Sequence, residues 1–331
     1  MLKSVDLLQT CSFDEISKII NDALVLGSDS NFGYDYLVDF EKRFELKARN
    51  PITTGWGEVD KISKDGLGQG ELGVVVAPTG AGKSMVLTHL GAAALMKGVN
   101  VIHYTLELSD TTIASRYDSC ITGVPLSDLF SFKELIYEKV EDVKGKLIVK
   151  EYPTKSASTR TIRNHLEKLI NRGIDPGLVI IDYGDLLRPV TVRKEKRNEL
   201  ESIYEEMRAI AQEFKCPVWT ASQTNRSGLN AEVITMESIS EAFNKCFVAD
   251  FIFTVSRTME DKSANSGRIY VAKNRNGPDG LVYPIFMDTS NVKIRVLPPS
   301  DEEESELTAK SQSDVLKEKY QKFKKQQRES I

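Results

Sequence analysis

Two alternating periodicities limit the fold of this 331-residue chain more than any other feature of its sequence. From about residue 71 to residue 297, short apolar runs alternate with segments in which apolar residues recur every three or four positions. Such alternation is typical of a mainly parallel sheet whose strands are joined by helices. The predicted strands are Leu72–Ala77, Val99–Leu106, Lys146–Tyr152, Leu178–Asp182, Pro217–Gln223 and Phe251–Val255. The predicted helices are Ser84–Met96, Thr111–Cys120, Thr159–Asn171 and Asn198–Phe214.

Three further strand-like runs lie close together at the end of this region. They are Arg268–Lys273, Val282–Met287 and Val292–Leu297, and the turn-forming residues 276–280 separate the first two. Connections this short join antiparallel strands. We therefore predict an α/β fold with a mainly parallel, twisted sheet flanked by helices and with antiparallel strands at its C-terminal edge.

The segments on either side of this region have different sequence patterns. Residues 1–50 contain a capping box at Ser12–Glu15 and a helical stripe of Leu37, Phe40 and Phe44. Two short helices cannot bury their apolar faces alone, so they pack on this chain's own core or on a neighbouring subunit. Residues 299–331 are strongly charged. The predicted organisation is an N-terminal helical linker segment (1–50), a large α/β domain (51–298) and a charged, flexible tail (299–331).

Composition excludes several classes of protein. The four cysteines form no C-x-x-C pair and the histidines do not cluster, so we expect neither a disulfide framework nor a structural zinc site. No apolar run reaches the roughly 18 residues of a membrane span, and no leader sequence is evident, which predicts a cytoplasmic protein with no membrane partner. The net charge of −4 means that any nucleic acid must be held by local basic segments.

One strand-to-helix connection fits the phosphate-binding loop. The residues are Ala77, Pro78, Thr79, Gly80, Ala81, Gly82, Lys83 and Ser84, with Ala77 where many such loops have glycine. Glycines let backbone N–H groups turn toward phosphates, and the following helix N-terminus favours negative charge. Lys83 would reach the β- and γ-phosphates and Ser84 would offer its hydroxyl to Mg²⁺. The sequence therefore predicts a site for ATP and Mg²⁺.

Polar residues at the ends of three other predicted strands could complete this site. Asp182 ends an apolar strand and would orient Mg²⁺ through a water molecule. Glu107 follows another strand and could polarise the attacking water as a general base. Gln223 ends a third strand, where its amide could sense the γ-phosphate. Taken singly, the assignments of Glu107 and Gln223 are weak, because many strands end in such residues.

Together these segments resemble the RecA-like motor domain of the DnaB family, specifically the replicative helicases of tailed bacteriophages. The resemblance runs through most of residues 35–297, and its motifs are Thr105–Leu108, Ile180–Tyr183, Ala221–Arg226 and Val271–Pro278. It implies that Glu107 is the catalytic glutamate and that Gln223 couples the nucleotide to DNA. It also implies that Lys273 and Arg275 enter the ATP site of the adjacent subunit and stabilise charge on the γ-phosphate there.

The resemblance further implies how such a chain works. The expected assembly is a homo-hexameric ring with ATP at each interface and single-stranded DNA in its channel, travelling 5′ to 3′ and unwinding duplex DNA. The expected partners include primase and a helicase loader, and the location is the host cytoplasm if a phage encodes the chain. Nothing in the sequence corresponds to the family's N-terminal collar domain.

Two loops that leave the sheet are candidates for gripping DNA. The segment 188–197 carries five basic residues and one acidic residue, and the loop 225–232 contains one arginine. Basic side chains can hold phosphates without reading bases, as a motor requires. The predicted DNA-contacting residues are Arg193, Lys194, Lys196, Arg197 and Arg226.

Two other functions remain open on the sequence. A RecA- or RadA-like recombinase would share the nucleotide site, although the Val271–Pro278 segment fits the helicase pattern better. An ATP-binding adaptor or loader would need little hydrolysis, yet all of the predicted hydrolytic residues are present.

Overall fold

The computed structural model describes residues 33–41, 49–191, 195–224, 233–234 and 245–298. The chain forms two units, residues 1–48 and 49–331. In the first unit, residues 36–40 form turns where the apolar stripe predicted a helix. The Asp35 carboxylate accepts hydrogen bonds from the backbone N–H groups of Leu37 and Val38, which gives the backbone a local alternative to a helix.

The second unit is built on one mixed sheet. Within the described residues the strand order is β3-β2-β4-β5-β1-β6-β7-β8-β9. The strands are β1 Leu72–Ala77, β2 Val101–Thr105, β3 Leu147–Glu151, β4 Leu178–Asp182, β5 Val218–Gln223, β6 Phe251–Ser256, β7 Ser266–Asn274, β8 Val282–Asp288 and β9 Lys293–Val296. The six strands from β3 to β6 in this order are parallel, and β6 to β9 pair antiparallel. The prediction of a mainly parallel sheet with an antiparallel C-terminal edge is confirmed.

Helices cover both faces of this sheet. They are α1 Gly57–Ser63, α2 Lys83–Met96, α3 Asp110–Thr122, α4 Lys133–Glu141, α5 Thr159–Ile170, α6 Lys196–Phe214 and α7 Met259–Ser263. Short 3₁₀ turns lie at Leu129–Phe132 and Gly184–Leu186. Helices α1, α2 and α3 pack on one face, and α5 and α6 pack on the other. In the part of the chain that the structure describes, no helix combines the length and the apolar character needed to cross a membrane.

Strand β1 lies at the centre of the core and is buried on both faces. Val75 and Ala77 join the apolar cluster on the α2 side, whereas Val74 and Val76 join the cluster on the α6 side. A strand buried on both sides must be continuously apolar, as its sequence is. The loop that follows β1 is therefore anchored on a fully buried strand at the centre of the sheet.

Side-chain packing also fixes the spacing of β1 and β5. A Cβ atom on Gly73 would lie 2.4 Å from the ring of Trp219, which is itself buried. Trp219 packs edge-on against Phe251 and Phe253 of β6, on the other side of β1. Only glycine leaves room for the indole at this position.

Three helices were not predicted, and most of the predicted strands begin or end one or two residues away from their observed limits. No side chain caps α1 or α4, and α7 is a five-residue helix whose capping box uses Asp261 in place of the usual Glu or Gln. Val99 was predicted to begin β2, but its N–H donates to the Ala94 carbonyl and so closes the end of α2 instead. The strand starts two residues later, at Val101.

Candidate active site

The connection between β1 and α2 has the shape of a phosphate cradle. Gly80 and Gly82 adopt φ angles of 72° and 101°, a left-handed region where a side chain would be strained. A Cβ atom on Gly82 would also lie 2.1 Å from the Met287 side chain. The loop therefore needs glycine for its backbone path, and α2 presents its N-terminus at the same point.

Lys83 is held over this loop by carbonyl oxygens, and no carboxylate among the described residues forms an ion pair with it. Its Nζ lies 3.3 Å from the Pro78 carbonyl oxygen and 5.5 Å from the centre of the Tyr183 ring. Burial lowers the pKa of Lys83, and the carboxylates of Glu107, Asp182 and Asp185 oppose that effect. A buried ammonium group held only by carbonyl oxygens and a ring face is suited to receive an anion.

Asp182 is the most unusual carboxylate of the described chain. It is 0% exposed, and neither of its carboxylate oxygens has a hydrogen-bond partner among the described residues. Burial raises its pKa to about 6, and Glu107 adds to the rise. The Ser84 side chain lies close enough to Asp182 to oppose this rise in pKa, although no hydrogen bond of standard geometry joins Ser84 to Asp182.

A buried carboxylate without partners costs free energy unless a cation satisfies it. Carboxylate and hydroxyl oxygens are ligands that Mg²⁺ accepts, directly or through its bound water. The donor set of Asp182 and Ser84 therefore fits a magnesium ion beside the phosphate cradle.

Gln223 lies next to the cradle because β5 pairs with β1. In the register of the two strands Gln223 is opposite Ala77, and its Nε2 donates to Thr79 Oγ1 at 2.6 Å. Its backbone N–H donates to the Asp185 carboxylate at 3.3 Å, and Tyr183 donates to its side-chain oxygen at 3.4 Å. The glutamine is thus tied directly to the loop that would hold phosphates.

The strand order brings four predicted elements together at the carboxyl ends of the parallel strands. The strands β2, β4, β5 and β1 are neighbours, and their carboxyl ends carry Glu107, Asp182, Gln223 and the phosphate loop. Glu107 is exposed at the rim of a cavity of about 290 Å³. The cavity is lined by Thr79, Gly80, Gly82, Lys83, Ser84, Met85, Glu107, Leu108, Arg116, Gln223 and Thr289.

Lys273 and Arg275 lie at the opposite end, where the parallel strands β1 and β6 begin. They stand at and beyond the end of β7, which pairs with the first residues of β6. The Arg275 guanidinium binds Asp250 at 2.8 Å, and Asp250 accepts the N–H of Leu72, the first residue of β1. A strand of this length separates its two ends by about 17 Å. Neither cation can therefore approach the cradle of its own chain.

Asp250 also holds a second arginine. Its two carboxylate oxygens accept from Arg208 on α6, both at 3.1 Å. The Lys273 ammonium lies 4.5 Å from the centre of the Phe247 ring and donates to the Phe247 carbonyl. Burial lowers the pKa of Lys273, and the neighbouring Arg275 lowers it further. The Arg275 side chain is nevertheless 44% exposed, so it is presented to solvent at this edge.

Comparison with known proteins agrees with this geometry. Residues 51–292 match the family model of the DnaB-like helicase C-terminal domain. The chain belongs to this family. It is 31% identical over 277 residues to the DnaB-like replicative helicase of Enterobacteria phage T4, which covers 79% of the chain and 58% of that relative. It is 25% identical over 321 residues to the replicative DNA helicase DnaB of Mycoplasma genitalium, covering 88% of the chain and 67% of that protein.

Solved structures of the DnaB-like family share the fold. A DnaB-like replicative helicase, solved to study its interactions with primase, superposes with a TM-score of 0.67 at 15% identity over 89% of this chain and 75% of the other. An isolated ATPase domain gives the same score at 16% identity, over 82% of this chain and all of that domain. The predicted RecA-like fold is confirmed, and the family implies the use of a nucleotide. The chain spans 58% of the phage T4 relative's length.

The predicted DNA-contacting residues of this DnaB-like chain remain predictions. Arg193, Lys194 and Arg226 lie outside the described residues, and so does the side chain of Lys196, which opens α6. Arg197 is exposed and pairs with Glu201 one helical turn away, at 3.0 Å. Surface pairs of this kind contribute little to stability, so Arg197 can exchange its partner at small cost.

Two residues of the site were missed by sequence reasoning. Asp185 accepts hydrogen bonds from Lys245 at 2.7 Å and from Tyr204 at 2.9 Å, and it supports the backbone of Gln223. Arg116 lies on α3 and lines the cavity. Asp185 follows Asp182 by three residues, which could have drawn attention to it. No local pattern singles out Arg116.

Proposed function

We propose that this chain is the ATP-hydrolysing motor of a replicative DNA helicase, which moves 5′ to 3′ along single-stranded DNA as a homo-hexameric ring and unwinds duplex DNA. ATP would be bound at each interface between two copies. Family membership supports the class of protein, and the arrangement of Lys83, Asp182, Glu107 and Gln223 at one edge of the sheet supports the reaction.

Each residue of the cradle has a role that follows from its position. The backbone N–H groups of Gly80 and Gly82, with Lys83, would hold the β- and γ-phosphates of ATP. Ser84 and Asp182 would hold Mg²⁺, with Asp182 acting through a water molecule. When bound, the ion neutralises charge on the phosphate oxygens. Glu107, at the rim of the same cavity, would orient the attacking water and take its proton.

The observation that carries the proposal is the distance between the cradle and the cations. Lys273 and Arg275 lie at the amino end of β1, whereas the phosphate loop lies at its carboxyl end. A cation at this position can complete only the site of another copy. A site assembled from two copies makes hydrolysis depend on assembly, as a ring motor requires.

Gln223 would connect the nucleotide to DNA. Its hydrogen bond to Thr79 couples the end of β5 to the phosphate loop, and residues 225–232, predicted from the sequence to contact DNA, follow β5 in the chain. A γ-phosphate that competes for the Gln223 amide would therefore shift the end of β5, from which these residues continue. Arg226, with Arg193, Lys194, Lys196 and Arg197, would grip the phosphates of single-stranded DNA.

Further partners are inferred from the family. Primase and a helicase loader are candidate partners, and the host cytoplasm is the expected location if a phage encodes the chain. The linker segment would dock on a neighbouring motor domain. Leu37 and Val38 in this segment are 78% and 82% exposed, which suits such a contact.

Unwinding of a forked duplex with a free 5′ tail, together with ATPase activity with and without single-stranded DNA, tests the function. We expect unwinding and DNA-stimulated turnover. Strand exchange without unwinding would instead identify a RecA- or RadA-like recombinase. DNA binding with negligible turnover would identify an adaptor or loader.

A mixing experiment tests the shared site. Lys83→Ala removes the cradle lysine and leaves the cations, whereas Arg275→Ala does the reverse. Each variant alone should lose ATPase activity by about a thousandfold or more. In an equal mixture assembled together, about one interface in four pairs an intact cradle with an intact arginine, so about a quarter of the wild-type activity should return.

The matched control replaces Arg163, which forms a surface ion pair with Glu213 at 2.7 Å. Arg163→Ala should retain ATPase activity. An equal mixture of Arg163→Ala and Lys83→Ala should show only the fraction of that activity expected when an active variant is diluted with an inactive one. If the Lys83→Ala and Arg275→Ala mixture stays inactive although the two variants form joint assemblies, the shared site is wrong.

A further inference from the structure

We propose that Asp250 and Arg208 form an exchange site, which holds Arg275 until the terminal phosphate of a nucleotide in the neighbouring copy draws it away. Arg208 would then keep the Asp250 carboxylate paired. Asp250 and Arg208 are positioning residues, because they act through Arg275 and do not touch the nucleotide. This inference rests on the proposed function, and it adds how one copy stores the cation that it delivers to the next.

The Asp250 carboxylate binds two guanidinium groups at once. Its Oδ1 accepts from Arg275 Nη1 at 2.8 Å and from Arg208 Nη2 at 3.1 Å, and its Oδ2 accepts from Arg208 Nε at 3.1 Å. Arg208 therefore contacts both carboxylate oxygens, whereas Arg275 contacts one. A two-point contact between arginine and carboxylate is stronger and more specific in geometry than a single one. The contact with Arg208 is the one suited to persist.

The charges of this cluster do not balance. Asp250 carries one negative charge and its side chain is only 6% exposed, yet two guanidinium groups contact it. Lys273 lies near the same cluster: burial lowers its pKa, Arg275 and Arg208 lower it further, and Asp250 opposes them. Cations this close repel one another in a partly buried site. The cluster has more positive charge than Asp250 can neutralise, so a phosphate beside Arg275 would relieve the repulsion.

Arg275 is the member of the pair that can leave. Its side chain is 44% exposed, against 28% for Arg208. Arg275 lies in the turn after β7, whereas Arg208 lies within α6. The backbone N–H of Arg275 donates to the Asp250 carbonyl at 3.0 Å. The Arg275 backbone is thus held in place while its side chain is free to turn outward, toward a copy on that side.

Release of Arg275 does not leave Asp250 without partners. A buried carboxylate that loses its cation is strongly destabilised. After the exchange, Asp250 would retain Arg208 and the backbone N–H of Leu72, which donates to it at 3.0 Å. If Arg208 were absent, only Arg275 of these two guanidinium groups would remain on the buried charge, and its release would cost more free energy. Arg208 should therefore set how readily Arg275 moves.

Turnover compared with nucleotide affinity tests this exchange, on the full chain with single-stranded DNA. Arg208→Met keeps most of the side-chain length and removes the charge. We expect kcat for ATP hydrolysis to fall about tenfold or more, and the affinity for fluorescent β,γ-imido ATP to change by less than about threefold. Asp250→Asn in the same chain removes the charge that would retain Arg275. The double variant should therefore regain kcat to within about threefold of the wild type.

A matched control is the surface ion pair of Arg163 on α5 with Glu213 on α6. Arg163→Met, alone or with Glu213→Gln, should leave kcat unchanged. Arg208→Lys keeps the charge and loses the fork, and it should lower kcat by about threefold. Should Arg208→Met fail to fold, Arg208→Lys with and without Asp250→Asn gives the same comparison.

Two results would overturn the exchange. One is an unchanged kcat in the Arg208 variants. The other is a double variant in which the losses from the Arg208 and Asp250 changes multiply, because the ion pair would then serve only the fold. Arg275→Ala separates this result from the proposed function. If Arg275→Ala kept full turnover, the shared site itself would be wrong; if only the Arg208 variants kept it, the exchange alone would be wrong.

Discussion

The buried carboxylate of Asp182 makes a quantitative prediction about stability. Raising its pKa from 3.8 to about 6 costs the charged folded state about 3 kcal/mol, at about 1.4 kcal/mol for each tenfold change in proton affinity. Because the folded-state pKa is raised, this cost is fully present above pH 6. It is relieved as the pH falls from 6 toward 3.8, where the folded chain binds the proton before the unfolded chain does.

Asp182→Asn removes this titration. The cost of the charge is about 3 kcal/mol at pH 8 and roughly half of that at pH 5, so the stability of the variant relative to wild type should be roughly 1–2 kcal/mol greater at pH 8 than at pH 5. The asparagine amide also lacks partners, but its burial costs the same at both pH values and cancels. For a domain of this size, the change corresponds to about 3–6 °C in the difference between melting temperatures.

The assay is thermal or urea unfolding of both proteins in EDTA without nucleotide, because a bound cation would lower the pKa of Asp182. Asp279→Asn removes an exposed charge from the loop between β7 and β8 and controls for the change in net charge. The same relative stability of Asp182→Asn at pH 5 and pH 8 would refute the reasoning. The variant should also fail to hydrolyse ATP. Asp182 would then be required for hydrolysis although its charge destabilises the folded state.

Two further predictions concern packing and coupling. Gly73→Ala places a methyl group 2.4 Å from the Trp219 ring and should lower the free energy of unfolding by about 1–3 kcal/mol in urea denaturation. Gly57→Ala, whose added methyl group meets nothing within 4 Å, is the control, and an equal loss there would discount the contact. Gln223→Ala should reduce stimulation of the ATPase by single-stranded DNA by about tenfold, with a smaller effect on ATP affinity; unchanged stimulation would separate Gln223 from the coupling.

The parts of the fold that were predicted well depend on local sequence. Strands β1 and β4 are buried on both faces, so their continuous apolar runs end where polar residues begin, and both strands were predicted to the residue. The phosphate loop was predicted because its glycines and its neighbouring strand and helix lie in one segment. Helix α4 was missed because it has no capping side chain and no buried residue to give it a clear period.

The parts that were missed depend on contacts between distant residues. Asp185 supports Gln223, 38 positions away, and binds Lys245, 60 positions away. Arg116 reaches the cavity because α3 packs against α2. The placement of Lys273 and Arg275 follows from the pairing of β7 with β6, which no local pattern encodes. The resemblance to a family predicts that these two cations act in a neighbour's site, and the strand order supports that prediction by keeping them away from the cradle of their own chain.

The separation of the cradle from the two cations gives each subunit a direction. One side offers a pocket that Lys273 and Arg275 of the same copy cannot reach, and the other offers these two cations without a pocket. In the proposed ring, contacts between copies would therefore be head-to-tail and not self-complementary. In a closed ring, every pocket would receive the cations of a neighbouring subunit. A ring opened at one interface to admit a DNA strand would have one pocket without these cations. That open interface would not hydrolyse ATP until it closes. The ATPase rate of such a ring would therefore depend on whether the ring has closed around the DNA strand.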